Sequence, residues 1–280
     1  MILQLSKSHY RKGDNMNFSY HTHTARCKHG KGCVLDFAKY AYDHKFKLIG
    51  FTDHLPFKDE RLSFCRMNFC ELNDYLNEIE AAKKTYHSLK IYSGFEAEYY
   101  EDSNVFYLEL LKKVDYLILG QHAIKKGNHY IFVDNCQSEE DLNLYVDAIE
   151  KAASTGYFSL INHPDLFGLA KEQWDDVCTK ITHRLAKIAI KYNLPIELNA
   201  QGMRRGTRIK SRPYAYPFIE FWKIIATEYP TIPIIISSDA HSPEALNDDA
   251  VNKCIELAST LKLNIVESLD LLNPIKDKNL

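Results

Sequence analysis

Two histidines one residue apart, in Tyr20-His21-Thr22-His23-Thr24, follow a short apolar run. On a strand, residues i and i+2 share a face, so both imidazoles can offer a nitrogen to one divalent cation. Alone, such a pair is more often solvated or hydrogen-bonded than metal-bound, and its meaning depends on partners elsewhere. Of the twelve histidines, seven stand just after a predicted strand or in the loop leaving it: His21, His23, His29, His54, His122, His163 and His241. Asp53, Glu96, Glu98, Asp165 and Asp239 occupy the same kind of position. Any one of these is consistent with a local hydrogen bond at a strand end. Gathered in one mouth, imidazoles and carboxylates would perturb one another unless metal charge organised them. There are too many donors for a single ion, and the set suits a cluster of two or three.

The elements that must position these groups alternate along the chain. Strands are predicted at 18–20, 47–51, 90–95, 115–119, 158–161, 195–198 and 232–236, each followed by a helix, near 34–45, 71–88, 103–113, 138–154, 174–192, 217–228 and 242–261. Leu72, Leu76, Ile79 and Tyr86 repeat at close to a helical period. Ser138-Glu139-Glu140-Asp141 resembles a capping box, Pro164 ends the fifth strand, and Ser242 with Pro243 opens the last helix. Seven βα units predict a parallel barrel or an open doubly wound sheet, whose C-terminal strand ends converge on one face. No linker or low-complexity run divides residues 17–280, so they read as one domain, with 1–16 as a polar N-terminal extension.

Composition narrows the function classes. The 280 residues carry a formal net charge of -2 and 45% hydrophobic residues, enough for a large core and without a global positive field for nucleic acid or an anionic membrane. The N-terminal apolar run is too short for a signal peptide and no stretch approaches a membrane span, which predicts a cytoplasmic protein. Seven scattered cysteines without a Cys-x-x-Cys pair argue for reduced thiols, with a Cys27/Cys33 knot around His29 as a minor alternative. The loop 55–70, rich in aromatic and basic residues, reads as a lid or, more simply, as packing through Phe57, Phe64 and Phe69. The sequence sets no oligomeric state.

Over essentially its whole length the chain resembles the PHP family, the polymerase and histidinol phosphatase superfamily. His21-Thr22-His23-Thr24 matches the first motif, Thr52-Asp53-His54 the second, Gly94-Phe95-Glu96 the third, His122 and His163-Pro164 the middle ligands, and Ser238-Asp239-Ala240-His241 the last. The segment Glu197 to Arg204 looks like that of the histidinol-phosphate phosphatase branch, in which an arginine after the glycine contacts phosphate. The resemblance implies a single-domain distorted (β/α)7 barrel with its metal site at the C-terminal strand ends. It also implies three divalent ions, Zn, Fe or Mn: the first on His21, His23, Glu96 and Asp239, the second on Glu96, His122 and His163, the third on His29, His54 and His241. Asp53 would orient an imidazole, and Glu96, Asp239, His241 and Arg204 would be the catalytic groups.

The implied activity is hydrolysis of L-histidinol phosphate to L-histidinol and phosphate in histidine biosynthesis. Phosphate monoesters hydrolyse so slowly that accelerations approach ~10²¹, beyond the reach of a lone general base. Arg204, with Arg205, would clamp phosphoryl oxygens, and placement near the mouth suggests Glu98 or Asp165 for the substrate amine. The competing readings are another PHP phosphoesterase (a phosphotyrosine phosphatase or a nuclease), a metal-dependent amidohydrolase, and a metal-binding or phosphate-sensing module without turnover. Near-neutral charge and the lack of a nucleic-acid-binding domain weigh against the nuclease.

Overall fold

The structure, a computed structural model, describes residues 16–206, 213–269 and 271. Four strands lie side by side and parallel in chain order: β1 (Phe18–Ser19), β2 (Leu48–Phe51), β3 (Lys90–Ala97) and β4 (Tyr116–Leu119). A two-stranded antiparallel hairpin follows, β5 (Ala123–Lys126) and β6 (His129–Phe132), and then the parallel pair β7 (Ile196–Asn199) and β8 (Ile234–Ser237). All residues of β2, β4, β7 and β8 are buried, as expected of parallel strands covered on both faces.

Single bridges join these pieces into a curled parallel sheet. Ile161 pairs with Leu119 of β4 on one side and Ile196 of β7 on the other, and beyond β8 Ala240 pairs with Thr22 just past β1. The fifth predicted strand is therefore reduced to the bridge residue Ile161. Its neighbours still bond across: Ser159 N–H donates to Leu117 O at 2.9 Å and Glu197 N–H to Ile161 O at 3.0 Å. The ladder stops there because His163, two residues on, turns into the left-handed region (φ 26).

The helices are α1 (Val34–Asp43), α2 (Leu72–Thr85), α3 (Asn104–Leu111), α4 (Glu139–Thr155), α5 (Asp176–Lys191), the single turn α6 (Gln201–Arg204), α7 (Ile219–Glu228) and α8 (Asp249–Leu261). Ser138 caps α4 as expected, its hydroxyl accepting from Asp141 N–H. The predicted helix from 242 is in fact two pieces, a 3-10 turn over Pro243–Asn247 and then α8. Asp248 makes the break: its carboxylate accepts from Ala250 and Val251 N–H and opens a new helix, whereas the Ser242 side chain caps nothing.

The core lies between sheet and helices, with Phe37, Ile49, Phe95, Leu117 and Trp222 fully buried. Met16, the last residue of the segment set apart in the sequence, is itself in this core, and residues 1–15 lie outside the described residues. The loop over 55–70 is largely packed: Leu55, Phe57, Arg66 and Met67 are buried, and the Arg61 guanidinium stands over Phe57, Tyr100 and Tyr130. Of its three phenylalanines Phe64 is the exposed one, at 66% and leaning on Phe132. Among the described residues no helix is long and apolar enough to cross a membrane.

Candidate metal centre

The C-terminal ends of the parallel strands bring all nine expected ligands into one region. His21 and His23 leave β1, His54 leaves β2, Glu96 lies in β3, His122 and His163 follow β4 and the Ile161 bridge, and Asp239 and His241 follow β8. His29 comes from the loop after β1. His163 and Asp239 are both non-glycine residues at positive φ, 26° and 44°. Such backbone costs about 1–3 kcal/mol and clusters where function needs a side chain re-aimed. Gly120 has a related role, since a Cβ there would collide with the Glu96 carboxylate.

Four atoms form the innermost group. His21 Nε2 and His23 Nε2 are 2.8 Å apart, and each lies 3.4–3.5 Å from Glu96 Oε2 and Asp239 Oδ1. Ligands about 2.0–2.1 Å from a shared tetrahedral ion sit about 3.3 Å from one another, so these spacings fit one ion. Asp239 Oδ1 is buried and has no hydrogen-bond partner, which a polar interior does not tolerate without a ligand for that atom. The donor chemistry, two imidazoles and two carboxylates, suits a divalent cation.

Glu96 also reaches a second group. Its Oε1 is 2.8 Å from His163 Nε2 and 3.5 Å from His122 Nε2, and its Oε2 is 2.9 Å from His54 Nδ1. A third group has His29 Nε2 and His241 Nε2 3.0 Å apart. His54 stands between the two, its ring 5.5 Å from that of His29 and its Nδ1 on Glu96. Buried Cys27 is close enough to His29 and His241 for its sulfur to join their group, whereas Cys33 is exposed at the start of α1.

Partners behind the imidazoles fix their orientation. His21 Nδ1–H donates to Glu197 Oε1 at 2.7 Å, His122 Nδ1–H to Glu98 Oε1 at 3.2 Å, and His241 Nδ1–H to the Asp239 carbonyl at 3.0 Å. Each bond turns Nε2 toward the mouth. Burial and neighbouring imidazoles push His23 and His241 down to about 3, and burial brings His54 to about 4, so these rings are neutral at pH 7 and able to ligate. For His21, burial opposes the charge but the Asp239, Glu197 and Glu96 carboxylates overcome it and raise the ring well above its usual value. Glu96 and Asp239, despite burial, are held below the usual carboxylate range by the surrounding histidines.

Three predicted substrate groups are elsewhere engaged. Arg204, expected to clamp phosphate, spends all five N–H donors on Asp248, Gln201 and the Ser238 and Ala245 carbonyls, tying α6 to the chain after β8. Glu98 is buried in a two-point pair with Arg66, at 2.9 Å on each oxygen, and has no charge to spare for an amine. Asp165 is buried too, its Oδ2 accepting from Phe218 N–H and Trp222 Nε1–H at the start of α7. Among the described residues Asp53 bonds no imidazole; its carboxylate holds the Thr24 turn through Thr24 N–H and Oγ1–H. Arg205, by contrast, lines the mouth. The rest of the predicted basic loop, 207–212, lies outside the described residues.

Other groups at the site were not singled out from sequence as functional. Glu197 bonds His21 and the His163 N–H, Asn162 Nδ2–H donates to Glu96, and Asn199 Nδ2–H donates to both Glu197 and Asp239. Glu197 and Asn199 share a strand face two residues apart, a polar alternation inside an apolar strand that was readable in principle. The mouth opens into a cavity of about 440 Å³, lined by His29, His54, Glu96, His122, His163, Asp239 and His241 at its floor. Arg66, Phe132, Asp134, Leu166, Leu169, Arg205 and Tyr216 are among its walls. This volume suits a small metabolite.

Comparison with known proteins agrees with this geometry. The PHP domain family model matches residues 19–201. A Deinococcus radiodurans protein named "Probable histidinol-phosphatase" is 29% identical over 234 residues, 80% of this chain and 85% of that one. The histidinol-phosphatase of Bacillus subtilis is 27% identical over 253 residues, 79% of this chain and 92% of its own. In fold, the chain is similar to the crystal structure of histidinol phosphate phosphatase from Lactococcus lactis, solved with zinc, L-histidinol and phosphate. The TM-score is 0.66 at 16% identity, covering 91% of this chain and 99% of that one. With these strand-end motifs, this curled sheet and this match, the chain belongs to the PHP domain family.

Proposed function

We propose that the protein is a metal-dependent phosphomonoesterase that hydrolyses L-histidinol phosphate to L-histidinol and phosphate. The observation that carries the reading is Glu96, whose two oxygens face two different groups of imidazoles at the floor of a cavity sized for a small ester. That bridging position calls for more than one ion. The curated relatives named histidinol-phosphatase, matched over most of their length, supply the substrate. The curled sheet is read as a distorted (β/α)7 barrel, supported by the Ile161 bridge and by the Thr22–Ala240 pairing.

Three divalent ions of Zn, Fe or Mn would be held by His21, His23, Glu96 and Asp239; by Glu96, His122 and His163; and by His29, His54 and His241. Divalent ions on such donors lower the pKa of water toward roughly 7 and offset charge on phosphoryl oxygens. The chain's own part is to aim the donors, through Glu197 and Glu98 behind the rings, and to shape the cavity. Arg205 takes the phosphate-clamping role that the spent donors of Arg204 rule out for its neighbour. Glu96, Asp239 and His241 border the cavity and would act on the reacting group.

A phosphate-release panel tests the reading. L-Histidinol phosphate should give a kcat/KM at least about a hundredfold above that of p-nitrophenyl phosphate, a difference of about 2.7 kcal/mol in transition-state binding. Equal values for the two esters would reject the substrate assignment.

A further inference from the structure

The substrate proposed above carries a protonated amine beside its phosphate ester arm, and a buried or half-buried ammonium needs an anionic acceptor. The two carboxylates that placement in the sequence suggested are already engaged, Glu98 by Arg66 and Asp165 by Phe218 and Trp222. Among the described residues, three carboxylates line the cavity: Glu96, Asp239 and Asp134. The first two belong to the candidate metal groups. Asp134 belongs to none of these groups.

Its position is fixed by the hairpin. Val133 N–H donates to the backbone carbonyl of His122 at 2.8 Å, so the turn over Val133–Asn135 is fastened to a candidate ligand, and Val133 itself is buried. The carboxylate of Asp134 accepts from Asn135 Nδ2–H at 3.0 Å and has no cationic partner among the described residues. Phe132, Leu166, Leu169 and Tyr216 line the same cavity and offer apolar and aromatic surface to a flat heterocycle. An anion on a turn tied to His122, in a cavity that also presents apolar side chains and the candidate metal ligands, matches a molecule with a cationic amine, an imidazole and a phosphate.

We propose that Asp134 accepts the ammonium group of the substrate and so sets a preference for amine-bearing phosphate esters. The assignment rests on the histidinol-phosphatase reading and adds the residue that selects within phosphate esters. The β5–β6 hairpin is then a specificity element, delivering one charge to the cavity lining beside His122.

The test is steady-state kinetics of the wild-type protein, Asp134→Asn and Asp134→Glu on three substrates: L-histidinol phosphate, its des-amino analogue 3-(imidazol-4-yl)propyl phosphate, and p-nitrophenyl phosphate. Asp134→Asn should raise KM for L-histidinol phosphate about tenfold with kcat within about twofold, and leave both amine-free esters unchanged. Asp134→Glu should recover part of the loss. Asp134 is exposed, and unchanged metal content with an unchanged melting curve confirms that the variants fold. A wild type that prefers L-histidinol phosphate over its des-amino analogue, with Asp134→Asn preserving that preference, overturns the role of Asp134 while leaving the function intact. A wild type that treats all three esters alike overturns both.

Discussion

At the scale of single residues, two adjacent arginines have opposite fates. Arg204 is internal wiring, joined to the Asp248 carboxylate at 2.7 and 3.0 Å and to two carbonyls, whereas Arg205 lines the mouth. Arg205→Ala should therefore lower kcat/KM for the phosphate ester by about 10²-fold with little change in melting temperature, since a charge-assisted bond to an anionic substrate is lost. Arg204→Ala should instead destabilise the fold by about 1–2 kcal/mol, through part-buried acceptors left unpaired, as read from denaturant midpoints. The reverse pattern would return the clamp to Arg204. The motif placed an arginine after Gly202 but could not say which of two neighbours faces the substrate. That choice depends on Asp248, a residue 44 positions away that also caps α8 and draws the first guanidinium inward.

At the scale of elements, the site depends on how helices are fastened to the loops that leave the sheet. Asp165 shows this. Burial first of all pushes its carboxyl up to about 6, although Phe218 N–H and Trp222 Nε1–H at the start of α7 pull the other way. The folded chain thus keeps the proton up to about pH 6, while the unfolded chain releases it near about 3.9. Between those values the folded state binds more protons, and stability falls as pH rises. Asp165→Asn removes this dependence while retaining an oxygen acceptor. Its stability relative to wild type should grow by about 3 kcal/mol between about pH 4 and 6 and be flat above about 7, since each tenfold difference in proton affinity is worth about 1.4 kcal/mol. Parallel melting-temperature profiles for the two proteins would contradict this. Helices with one clear pattern, such as α2 and α4, were legible from periodicity and capping. The β5–β6 hairpin was not, because Ala123–Lys126 and His129–Phe132 are short and only partly buried, and it is tertiary contact such as Val133 N–H to His122 O that holds them at the mouth.

At the scale of the whole molecule, the convergence of the strand ends was legible because histidine and carboxylate recur just where apolar strands stop. His21, His23, Glu96 and Asp239 needed no tertiary information beyond parallel alternation to be grouped. The even run of seven full strands is less regular in the folded chain: Ile161 and Ala240 join the sheet through single bridges, as no run of residues around them supports a full ladder. The sequence shows the polar alternation of Glu197 and Asn199 but not what it meets: these two and Asn162 reach His21, Asp239 and Glu96 only once the sheet has curled. On the function proposed above, these three side chains help to aim His21, Glu96 and Asp239, and turnover follows from filling three divalent-ion sites. Phosphate release from L-histidinol phosphate, followed as chelator-stripped protein is titrated with Zn²⁺ or Mn²⁺, tests that dependence. Stripped protein should show no turnover, and activity should rise with added metal and saturate near three equivalents per chain; turnover without metal, or saturation at one equivalent, would contradict the three-ion site.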